Sequence, residues 1–92
     1  MSQPGPQAPI LDEPPRVDGI TDYDRQHIAT YLRLLDAETA GAHPDEVARI
    51  VLGLDPVRDP ERARRVHGAH LDRARWMRDH GYRHLALDGH GP

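Results

Sequence analysis

The sequence predicts an all-α fold: a compact three-helix, helix-turn-helix-like domain with a disordered N-terminal arm and a short C-terminal closing segment. Three observations carry that reading. Apolar residues recur at helical spacing in three stretches, and each stretch is opened by a capping or acidic first turn and closed by glycine or proline. Five of the nine prolines fall within residues 1–19. The 92-residue length allows one small domain, near the lower limit for a self-sufficient core.

The opening "MSQPGPQAPILDEPPRVDG" has no helical or strand period, so residues 1–19 read as a disordered arm. Ile10 and Leu11 are its only adjacent apolar pair, either a short docking motif or part of a solvated tail. The ordered domain then spans residues 20–87, with 88–92 as a flexible tail. Its first helix starts at Thr21 or Asp22, with Asp24 in the positive first turn, and stops at Gly41. Ile28, Tyr31, Leu32, Leu35 and Thr39 form its main face, and Tyr23, His27 and Leu34 form a second stripe. The second helix, "HPDEVARIVLG", has Pro44 at its first position and ends at Gly53. The third is capped by Asp59 and runs from about Pro60 to about Asp79, with Gly81 as a left-handed stop. On a 100° wheel Ala63, Val66, His67, His70, Leu71, Ala74 and Met77 face inward. Arg62, Arg65, Ala69, Asp72, Arg73, Trp76 and Asp79 face outward. Tyr82 and Leu85 fold back to close the core. The connection between the second and third helices is longer than the three or four residues of a strict helix-turn-helix.

Charge is distributed unevenly. The net charge is −3, yet residues 58–84 hold eight arginines against four acids, and residues 1–57 hold four against ten. There is no lysine; all twelve basic residues are arginine, which favours planar, bidentate contacts. Genomic G and C richness accounts for such a bias equally well.

Composition excludes several function classes. Without cysteine there are no disulfides or thiolate sites, and the only serine is Ser2 in the arm. No nucleophile or general acid–base motif is present, so the chain reads as no enzyme and needing no cofactor. His67 and His70 read as hydrogen-bonded core or boundary histidines, and Gly81 between His80 and His84 breaks the alignment a metal would need; no metal site is expected. No apolar run approaches the roughly 18 residues of a membrane span, and no signal peptide is seen, which fits a cytoplasmic protein.

Two partner classes remain. Arg62, Arg65 and Arg73 on an outward helix face suit phosphate and base-edge contacts. Asp72 and Asp79 share that face, however, and the first two helices add negative charge, so DNA is expected to be an unlikely partner for the domain alone. A tryptophan ringed by arginines has the composition of a protein-interface hot spot. The expected contact set is therefore Arg62, Arg65, Arg73 and Trp76, with Tyr23 and Leu34 behind them, on a monomer.

The blocks "TDYDRQHIATYLRLLDAETAGA", "DEVARIVLGLDP" and "ARRVHGAHLDRARWMRDHGYRHL" also carry a resemblance. They look like the small helix-turn-helix-variant domains, long of unknown function, of proteobacterial integrative and conjugative elements. The match covers about residues 9–87, and "YLRLLDA" and "ARWMRDHGYRHL" are its specific parts. The resemblance implies a transcriptional role, and the short acidic chain is most similar to single-domain antiactivators of the QseM type. Such proteins are implied to bind and inhibit activators of excision and transfer genes, among them a quorum-sensing regulator of the LuxR type. The expected function is thus an antiactivator acting by occlusion; the alternative is a DNA-binding helix-turn-helix regulator.

Overall fold

A computed structural model describes residues 9–81. The order of elements is α1 (Asp22–Gln26), α2 (Ile28–Ala40), α3 (Pro44–Leu52) and α4 (Pro60–Trp76), followed by a π-helical turn at Met77–Gly81. Among the described residues the all-α expectation holds, with four α-helices where three were expected. The extra element arises because the first predicted helix breaks at His27, which has φ −117° and ψ 21°. The His27 N–H is shared between the Tyr23 and Asp24 carbonyls, and its ring Nδ1 lies 2.8 Å from Tyr23 O. The imidazole thus anchors the bend, and no proline is needed to make it.

Each end follows its local chemistry. Thr21 and Asp24 form a reciprocal capping box at the start of α1. The His43 and Asp59 side chains accept the N–H groups of Asp45 and Arg62, with Pro44 and Pro60 in the first turns. Gly41 and Gly53 take left-handed φ values of 74° and 70°, and the following residues, Ala42 and Leu54, donate back to Ala37 O and Ala48 O. Beyond Trp76 the helix widens into the π turn, whose last residue is Gly81, the position expected as the stop.

The core has two apolar clusters. Leu34, Val47, Leu52 and Val66 join α2, α3 and α4; Tyr31, Ala74 and Met77 join α2 to the end of α4. The buried line runs from His27, the N-cap of α2, through Tyr31 to Leu34: Tyr31 comes from the expected main face and His27 and Leu34 from the second stripe, while Leu32 and Thr39 of the main face are exposed. The break at His27 and the anchoring of Tyr31 to Asp24 rotate the helix away from the expected phase.

The arm expectation is corrected for residues 9–19. Ile10 packs on the first cluster and Pro14 is buried. The Leu11 N–H donates to Tyr23 Oη, and the Val17 and Gly19 carbonyls accept from Arg73. This segment is a strap fixed at both ends against α1 and α4. Its prolines exclude helix but are compatible with extended packing, and its missing backbone partners are supplied by side chains. The expected closing segment, Tyr82 and Leu85 included, lies outside the described residues.

Candidate functional site

Arg73 is one of the four residues expected at the contact surface, and it is buried. It is 6% exposed, and its partner Asp24 is 0% exposed. Arg73 Nε and Nη2 donate to the two Asp24 oxygens at 3.0 and 2.7 Å. Nη1 and Nη2 also donate to Val17 O at 2.9 Å and Gly19 O at 2.7 Å. Burial pushes the Asp24 pKa up, but bonds from Arg73, the Thr21 backbone and Tyr31 outweigh it and hold the carboxyl below its ordinary value. The wheel misplaced Arg73 because its counter-ion lies 49 residues away. Leu34 is likewise sealed in the core at 1% exposure. Both are corrected as candidate contacts.

Trp76 is half-buried at the mouth of an open groove of about 510 Å³ that Pro14, Val17 and Asp72 also line. Its ring lies 4.1 Å from the Arg73 guanidinium carbon and stacks on His80. The indole is thus a lid on a buried cation as well as a partly exposed surface. Tyr23 is half-buried in a relay. Its hydroxyl lies 2.7 Å from His70 Nε2, and His70 Nδ1 lies 2.9 Å from Val66 O. Because a carbonyl only accepts, Nδ1 carries the proton, Nε2 accepts from Tyr23, and the Tyr23 oxygen accepts from Leu11. Burial pushes the His70 imidazole below its ordinary value.

Arg62 and Arg65 do reach the surface, and there they meet the strap. Arg62 Nε and Nη2 donate to Asp12 at 3.2 and 2.8 Å, while Arg65 Nη2 stands 3.7 Å away. The two acids expected to repel phosphate are themselves neutralised: Asp72 pairs with Arg75, and Asp79 with Arg78. Arg75 also bonds Glu38 of α2.

What remains is more telling. Among the described residues, Arg33, Arg49, Arg58 and Arg64 are exposed and make no ion pair or side-chain hydrogen bond with another described residue. Three of these four belong to the unit of α3, the turn and α4. Arg49 borders a surface groove with Pro56 and Val57, and Arg58 is next in the chain. The turn is rigid, since Asp55 Oδ1 accepts the N–H groups of both Val57 and Arg58. Sequence reasoning passed over these three. Each has an acid three or four residues away in the sequence, yet pairs with none of them.

The described residues contain no group of three or more side chains arranged to hold a metal ion, and no helix long and apolar enough to cross a membrane. Among the described residues the only regular structure is helical, and the last long helix and the preceding turn present arginines with no ion-pair partner there, a charge pattern suited to a nucleic-acid-binding domain. Residues 8–86 match the family described as the type VI secretion system (T6SS) transcription factor DNA-binding domain, RovC_DNA-bd. The chain belongs to that family, which is not a family of enzymes. No curated protein matches it.

Membership overturns the expectation that DNA is an unlikely partner, and with it the preference for protein partners. It agrees with the resemblance at the level of a small transcription-regulatory domain and lends nothing to the link with mobile elements or with QseM-type antiactivators.

Proposed function

We propose that this chain is the DNA-binding module of a transcription regulator, with α4 as the helix addressed to the duplex and Arg49, Arg58 and Arg64 as its primary phosphate contacts. The observation that supports this is the gathering of unpaired arginines on α3, the turn and the first half of α4. A paired arginine must give up a carboxylate to take a phosphate; an unpaired one exchanges only water and counterions. Helix-turn-helix domains place the two helices of this unit in the corresponding way, the first crossing the backbone and the N-terminal half of the second entering the major groove. Val57, at 89% exposure, adds an apolar contact at the tip of the turn.

The test is fluorescence anisotropy on a duplex selected by the wild-type chain from a random pool, titrated over salt. Replacing Arg49, Arg58 and Arg64 together by Ala is expected to weaken binding by about tenfold or more at low salt. The log–log salt slope should become shallower by roughly 2–3, since each phosphate contact contributes about 0.9. Arg33→Ala on α2 serves as the control and should leave both quantities unchanged. Wild-type affinity and slope in the triple variant would overturn the assignment.

A further inference from the structure

We infer that Asp12 of the strap is a positioning residue for DNA reading, holding Arg62 so that the free end of its guanidinium meets a guanine edge. This rests on the DNA-binding reading above and assigns a base-recognising pair within it.

The geometry gives three reasons. Asp12 engages Arg62 through Nε and Nη2, the side edge of the fork. That leaves Nη1 and the second hydrogen of Nη2, a parallel pair of donors at the end of the group, for the O6 and N7 acceptors of guanine. Second, the carboxylate is not held by the ion pair alone. The strap is fixed independently on both sides, by Ile10 in the core and Leu11 N–H on Tyr23, and by Val17 O and Gly19 O on Arg73. An exposed pair between two free side chains is worth little, because both must be ordered to form it. Here the backbone fixes one partner in advance, and the cost of ordering arginine falls before DNA arrives. Third, Arg62 stands in the first turn of α4, the part of such a helix that meets base edges, and it remains partly exposed. Arg65, 3.7 Å from the same carboxylate, shares the ion pair and adds positive charge beside Arg62.

The rival role for the same contact is a mask, in which Asp12 merely competes with phosphate. The two differ in what happens to discrimination. The full-length chain would be titrated against its selected duplex and against versions in which single guanines carry 7-deazaguanine, which lacks the N7 acceptor. For wild type, one such replacement should cost about tenfold in affinity, as expected for losing part of a bidentate base contact. Asp12→Asn, exposed and on the rim, should bind the selected duplex several-fold less tightly and lose most of that discrimination. Arg62→Lys, which keeps the charge but not the fork, should behave the same way while retaining non-specific binding. Parallel tightening of all duplexes by Asp12→Asn would overturn the inference in favour of a mask. Unchanged affinity and discrimination would overturn it as well. Failure of wild type to bind any duplex would sink the parent reading, a result separable from both.

Discussion

At the scale of single residues, the charged side chain whose surroundings matter most is Arg73. Its identity was readable, but its environment was not: a wheel assigns charge to solvent by default, and only folding brings Asp24, Val17 and Gly19 to it. His70 was the opposite case. An imidazole among Ala63, Val66 and Ala74 reads as a satisfied interior group, and the structure gives it Val66 and Tyr23 as partners. Breaking the Asp24–Arg73 pair on one side leaves a carboxylate sealed from water, so Arg73→Leu is expected to cost about 3–5 kcal/mol of stability by urea denaturation. Replacing both partners, Asp24→Asn with Arg73→Leu, removes the uncompensated charge, and the double variant should lose clearly less than the two single losses added. Strict additivity would mean that the pair is not coupled.

Among the elements, the ends were legible and the bend was not. Thr21, Pro44, Asp59, Gly41 and Gly53 act where their chemistry requires, because caps depend on residues within one turn. The break at His27 depends on a histidine ring finding a carbonyl one turn back, a contact with no distinctive spacing. Glycine gives a contrast between positions. Gly41 and Gly53 occupy left-handed backbone, where a Cβ meets the following carbonyl, so alanine at either should destabilise by about 1 kcal/mol. Gly68 lies within α4, and a Cβ there would meet nothing within 4 Å. Gly68→Ala should therefore stabilise the fold by roughly 0.5–1 kcal/mol through helix propensity alone. Thermal melts of the three variants test the pair of signs, and a destabilised Gly68→Ala would show that α4 is strained in the free protein.

For the whole molecule, formal charge misled where pairing decides. Counting acids against arginines suggested a surface hostile to DNA, yet Asp24, Asp12, Asp72 and Asp79 are each tied to an arginine, which leaves a separate set around the turn with no ion pair among the described residues. The proposed site was only partly legible for that reason: Arg62 and Arg65 were candidates from the sequence, while proposing Arg49, Arg58, Arg64 and Asp12 needed the fold. The strap is the other whole-molecule feature hidden from a local reading, and it makes stability depend on pH. His70 joins α4 through Tyr23 to the Leu11 amide, and this chain of bonds requires an unprotonated Nε2. Burial lowers the pKa of His70 in the folded chain, and that of half-buried His67 moves the same way. Below the ordinary histidine value of 6.5 the unfolded chain therefore binds protons that the folded chain resists. The stabilisation is complete above that pH and is lost as pH falls toward the lower folded values. Asp24, also lowered, adds a second loss of the same sign, but only below its ordinary value of 3.8. The urea midpoint should thus drop between pH 7.5 and 5.5, before any carboxylate of ordinary pKa takes up much proton. In His70→Asn the same interval should cost less, because the His70 contribution is gone while that of His67 remains. An equal midpoint at the two pH values in wild type would show that the Tyr23–His70 relay does not govern the anchoring of the strap.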